Sequence, residues 1–152
     1  MDSRFRDTLN EVLTDTYRGI LRYEEQLIAR QKALKLTIGE IHTLEVIGKA
    51  VSSGITISQI ANALDLTAAT VVVSVNRLEK KGFVEKRRDT KDRRHVFVTL
   101  TKRGLVVDRL HKRFHQHLVD ELIKGFDCEE KRVLLDVMDK LRVYFAQASV
   151  NP

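Results

Sequence analysis

Residues 56–104 constrain the fold of this 152-residue chain more than any other stretch. They read TISQIANALDLTAATVVVSVNRLEKKGFVEKRRDTKDRRHVFVTLTKRG. Thr56 with Gln59, ahead of Ile57, Ile60, Ala61 and Leu64, is the pattern of a capped short helix. Thr67 caps a second helix. It stops at Gly82 after Lys80 and Lys81, where glycine and cations both favour a helix end. Residues 83–87 and 95–100 read as strands, and the alternation of Val96, Val98 and Leu100 predicts one buried face. Between them lies the basic tip RRDTKDRR, in which Asp89 and Asp92 favour turns. Helix, tight turn, helix and a two-stranded wing make the layout of a winged helix-turn-helix.

Charge falls on the same stretch. Residues 51–103 carry eleven Lys and Arg against five Asp and Glu, whereas 1–50 and 104–152 each carry eight of both signs. The whole formal charge of +6 therefore sits on the winged segment. Lysines and arginines gathered on a helix-turn-helix are the footprint of a phosphate-backbone partner, so double-stranded DNA is the expected ligand.

Helical periodicity organises the remainder. Phe5, Leu9, Val12, Leu13, Tyr17, Ile20, Leu21, Leu27 and Ile28 recur at helical steps and predict one long helix over 4–34. Thr37 and Glu40 form a capping box ahead of Ile38, Ile41, Leu44, Val46 and Ile47, and the run breaks at Ser52-Ser53-Gly54. Thr101 opens a helix to about residue 124 with Val106, Leu110, Phe114, Leu118 and Leu122 as its apolar ridge. Asp127 and Glu130 open a last helix, whose Val133, Leu134, Val137, Met138, Leu141, Tyr144 and Phe145 are expected inside. The winged motif is too small to cover three such stripes, which predicts a two-fold homodimer. The expected architecture is mainly α with a small β-wing: one domain, 1–152, with dimerisation helices at 1–34 and 105–150 around a DNA-binding part at 37–104. Such a dimer presents two recognition helices to a pseudo-palindromic site with half-sites about one helical turn apart.

Placing Val71, Val75 and Leu78 inward leaves Ala69, Val73, Asn76, Arg77 and Lys80 outward, flanked by Thr70 and Val72. Small apolar groups suit thymine methyls, Asn76 suits an adenine edge, and Arg77 a guanine or a phosphate. Thr67 and Thr70 lie near the helix N-terminus, where backbone N–H groups favour a phosphate. In the wing, Arg88, Arg93 and Arg94 are the expected backbone or minor-groove contacts.

Other classes are excluded or left without support. The single Cys128 forbids an intramolecular disulfide and fits a reducing compartment. No apolar run approaches the roughly 18 residues of a membrane span, and the mixed-charge N-terminus lacks a signal-peptide core. A cytoplasmic soluble protein without membrane contact is expected. There is no Gly-rich phosphate loop, GxSxG or HExxH, so no catalytic residue and no cofactor is assigned. His111 and His115 share a helix face, with His117 near them, but this spacing binds zinc only where further ligands join, and no metal residue is assigned.

The stretches Asn76-Arg77-Leu78-Glu79-Lys80-Lys81-Gly82, Asp92-Arg93-Arg94 and Val98-Thr99-Leu100-Thr101-Lys102-Arg103-Gly104 together resemble the MarR family of bacterial transcriptional regulators, over almost the whole chain. The resemblance implies a homodimer on a palindromic operator, usually a repressor, with affinity tuned by a ligand. Residues 40–49 (EIHTLEVIGK) and 110–115 (LHKRFH) are similar to the fatty-acid-biosynthesis repressors of Gram-positive bacteria within that family. That narrower resemblance implies long-chain acyl-acyl-carrier protein as corepressor. Arg109, Lys112 and Arg113, beside Phe114, offer the acidic carrier a basic dock, and His42 is expected to line the effector pocket or to satisfy a helix contact. The same basic cluster also reads as a solvated face or a phosphate contact. Two other functions stay open on the residues: the same dimer released by a small phenolic ligand, and a winged-helix protein-interaction module that does not bind DNA.

Overall fold

Threonine hydroxyls open the helices that build the winged motif. In the structure, a computed structural model describing residues 3–30, 34–50, 54–88 and 96–148, the elements follow in this order: α1 Ser3–Arg30, α2 Ile38–Lys49, β1 Ile55–Thr56, α3 Ile57–Leu64, α4 Ala68–Lys80, β2 Val84–Arg88, β3 Val96–Leu100, α5 Lys102–Leu122 and α6 Cys128–Ala148. Thr37, Thr56 and Thr67 each accept the backbone N–H three residues on, at 3.2–3.3 Å. Glu40 and Gln59 return the bond to the cap backbone at 2.9 Å, completing two capping boxes. The ends of α3 and α4 are as specific. Asp65 takes the left-handed conformation (φ 53°, ψ 46°), which a short polar side chain tolerates, and turns the chain into α4. Gly82 (φ 77°) closes α4 in a Schellman motif, with Phe83 N–H on the Leu78 carbonyl and Gly82 N–H on the Glu79 carbonyl, both at 2.9 Å.

Glu40 links the start of α2 to the end of α4. Its buried carboxylate takes the Thr37 N–H and also the Lys81 ammonium at 2.8 Å, and Lys81 donates to the Lys35 carbonyl at 2.7 Å. One carboxylate thus fixes where α2 starts relative to where α4 ends. Glu40→Ala is expected to cost about 2–3 kcal/mol, the sum of a lost cap and a lost charge-assisted hydrogen bond. Chemical denaturation against wild type measures it; a loss under about 0.5 kcal/mol would reduce the link to surface decoration.

The sheet has one strand more than the sequence suggested. Its order is β1-β3-β2, all antiparallel. Two residues are too short to show alternation, so β1 is invisible in the pattern; it exists because Gly54 (φ 89°) delivers Ile55 opposite Val98. β3 is therefore central and covered in part on both faces. Val98 is buried, while Val96 and Leu100 are only half-buried, as are Phe97 and Thr99 on the other face. The expectation of one buried face holds only for its middle residue.

By contacts the chain divides into two compact units, residues 1–111 and 112–152, the boundary falling inside α5. The first unit holds the core, with Leu44, Ile60, Val71, Leu78, Phe83 and Val98 all but sealed from solvent. Here α5 departs from the expected ridge. Gly104, Val107, Asp108 and His111 are buried, whereas Val106 and Leu110 are exposed. Gly104 explains this: the helix start lies directly on the Phe83 carbonyl, which only a missing side chain permits. In the second unit, Asp127 and Glu130 cap α6 reciprocally at 2.8 Å. None of α6 is fully buried: of the residues expected inside, Leu134 and Leu141 are half-buried, and Val133, Val137, Met138, Tyr144 and Phe145 lie open on the single chain. Along α1, Phe5, Leu9, Val12, Leu13, Tyr17 and Ile20 are exposed as well. Among the described residues no single helix is long and apolar enough to cross a membrane.

Candidate nucleic-acid interface

Helix α4 turns one side to the core and the other out. Val71, Val75 and Leu78 are sealed inside, and Ser74 meets the Thr43 hydroxyl of α2 at 3.1 Å. Thr43 also donates to the Gly39 carbonyl at 2.7 Å, so this buried polar contact is satisfied. Ala69, Thr70, Val72, Val73, Asn76, Arg77 and Lys80 are exposed, as helical geometry dictates once the inner face is filled. Val72 and Val73 are apolar groups left 41% and 50% exposed. Thr67 and Thr70 lie together at the start of α4, their hydroxyls 2.9 Å apart. A groove runs between this face and the start of α2, lined by Thr43, Leu66, Thr70, Val73, Ser74 and Arg77 among others. The N-terminus of α2 and the outer face of α4 thus border one surface.

Two basic residues of β2, Arg87 and Arg88, are exposed, Arg88 pairing with Val96 where the wing leaves the sheet. Arg93 and Arg94, two of the expected wing contacts, lie outside the described residues. Arg103 closes the base of the wing: its guanidinium stacks 4.7 Å over the Phe83 ring and donates to the Lys81 carbonyl at 3.0 Å.

Lys86 was missed in the sequence. Its ammonium donates to Asn76 Oδ1 at 2.8 Å and pairs with Glu79 Oε2 at 2.7 Å. The i, i+3 spacing of Asn76 and Glu79 was readable; that β2 brings Lys86 up to both is a tertiary fact.

The residues expected to serve an effector are more dispersed. His42, half-buried on α2, has Nε2 4.0 Å from Glu24 Oε1 of α1. Its ring centre lies 6.1 Å from that of the buried His111, whose Nε2 is 3.6 Å from Glu45 Oε2. Asp108, buried one turn before His111, packs against Gly48 so closely that a Cβ there would meet its carboxyl at 2.6 Å. On α5, Arg109 and Arg113 are exposed, Lys112 is half-buried, and Phe114 meets His115 edge-on at 5.3 Å. Cys128 opens α6 and is exposed. Among the described residues no three His, Cys, Asp or Glu side chains gather as a metal site would require.

Residues 36–96, from the start of α2 to the return of the wing, match the MarR family. The structure is similar to the crystal structure of Streptococcus pneumoniae FabT in complex with DNA, with a TM-score of 0.89 and 37% identity over 94% of this chain and 99% of that one. Among curated proteins, the regulator BilQ of Clostridium symbiosum is 29% identical over 82% of this chain and 87% of its own length. YwhA of Bacillus subtilis, an HTH-type transcriptional regulator of uncharacterised role, is 33% identical over 57% of this chain; that match spans 62% of YwhA, under two thirds of its length. The matched segment, the near-complete likeness in fold and the exposed face of α4 agree: the chain belongs to the MarR family of DNA-binding transcriptional regulators.

Proposed function

We propose that this protein is a cytoplasmic repressor that binds a pseudo-palindromic operator as a homodimer and controls fatty-acid biosynthesis genes, with long-chain acyl-acyl-carrier protein as corepressor. The observation that carries the DNA reading is the outer face of α4, where Val72, Val73, Asn76 and Arg77 stand exposed opposite the buried Val71, Val75 and Leu78. Apolar methyls beside an amide and a guanidinium match the methyl and hydrogen-bonding groups of a major-groove edge. The apolar stripes left open on α1 and α6 support the homodimer, since a second copy would bury them. Likeness to a FabT–DNA complex across nearly the whole chain supports the DNA reading, and the resemblance of residues 40–49 and 110–115 to fatty-acid-biosynthesis repressors supports the lipid reading. The exposed Arg109 and Arg113 supply positive charge for an acidic carrier.

The test is a gel shift on the DNA upstream of this gene, with carrier protein added with and without a long acyl chain. Tighter binding with only the acylated form is expected. Equal binding with both forms, or release by the acylated one, would remove the corepressor from the account.

A further inference from the structure

We propose that Lys86 is a positioning residue for recognition, holding the carbonyl end of the Asn76 amide so that its NH₂ end is presented to DNA. The inference rests on the DNA-binding reading and goes past it to how one recognition side chain is presented. An asparagine amide has two ends, a carbonyl that accepts and an NH₂ that donates. A lysine ammonium has three donors and no acceptor, so only the carbonyl of Asn76 can face Lys86. The 2.8 Å contact to Oδ1 therefore settles the rotation of the amide and leaves Nδ2 as the free end. Glu79, at 2.7 Å from the same ammonium, anchors Lys86 in place. In return Lys86 neutralises a carboxylate that would otherwise repel the phosphates, one helical turn from Asn76.

The consequence is specific. Pairing with an adenine edge requires the amide to accept from N6 and donate to N7 together. Lys86 takes one of the two carbonyl lone pairs, so the end of Asn76 left wholly free is the donor, and it suits acceptors: a phosphate oxygen, guanine N7 or O6, thymine O4 or adenine N7.

A double-mutant cycle tests this on any duplex the wild type binds. Lys86→Met keeps the length of the stem and removes the donor. Its affinity loss contains a general charge component, present in wild-type and Asn76→Ala backgrounds alike, which cancels between them. The loss in the wild-type background is expected to exceed that in the Asn76→Ala background about fivefold, within the range for directly coupled residues. Lys86→Arg, which still donates, is expected to keep most of that coupling. Equal losses in both backgrounds would make Lys86 an independent phosphate contact and overturn the proposal. Wild-type affinity, measured first, tests the DNA reading separately, so the two failures are distinguishable.

Discussion

Introducing Leu9→Asp and Leu13→Asp together is expected to convert the protein to monomers and to weaken operator binding by at least about a hundredfold. Both leucines lie one turn apart on α1, 45% and 41% exposed, within a stripe that continues through Phe5, Val12, Tyr17 and Ile20. Among the described residues that stripe stays exposed. In the proposed dimer two-fold symmetry doubles every substitution, so four leucine contacts vanish; with less than half of each side chain left for a partner to bury, each is worth about 0.6–1.3 kcal/mol. That total is about 2.5–5 kcal/mol, roughly a hundredfold to a few thousandfold in a dimer dissociation constant, and the cost of burying the new carboxylates adds to it. A monomer then grips one half-site alone. Neither side chain belongs to the core, so helicity should survive. Sedimentation equilibrium and circular dichroism on the same sample provide the check. A double variant that stays dimeric would place the interface elsewhere.

Gly104→Ala should be the most damaging single methyl in the structure. A Cβ there would lie 2.1 Å from the Phe83 carbonyl oxygen, a backbone atom that cannot swing aside. That carbonyl also takes the Thr101 N–H at 3.0 Å, and the Thr101 hydroxyl in turn accepts the Gly104 N–H at 3.2 Å. Relief of the clash would have to displace Phe83, which sits sealed in the core under the Arg103 guanidinium. Overpacking of this kind costs about 3 kcal/mol, which lowers Tm by roughly 10 °C in a chain of this size. Gly39→Ala is the control: a Cβ there meets nothing within 4 Å, and the helix propensity of alanine should leave Tm unchanged or slightly raised. Calorimetry on the two variants separates them. A Gly104→Ala protein that melts with wild type would mean the α5 start is not tied to Phe83.

The legible parts of the sequence were the local ones. Thr37, Thr56 and Thr67 announced their helices because a cap acts within three residues, and Gly82 announced the end of α4 for the same reason. The inner face of α4 followed from periodicity, and its outer face from what remained. What stayed hidden depends on parts of the chain that meet only in the fold. β1 is two residues held by a distant strand. The ridge of α5 was assigned to Val106 and Leu110, yet Val107, Asp108 and His111 are the residues covered, because the wing and α2 choose the face that Gly104 presents. The apolar side of α6 was read as buried, and periodicity cannot say whether its own chain or another does the burying. Lys86 looked like one more cation in a basic run; only the register of β2 beside α4 shows that it serves Asn76.

The mass of the complex formed with a duplex carrying an inverted repeat from upstream of this gene tests the paired-helix account most directly. Measured by sedimentation in dilute salt, where phosphate contacts are strongest, it should correspond to two chains on each duplex. A mass of one chain per duplex, or free DNA at every protein concentration with acylated carrier protein present, would contradict it.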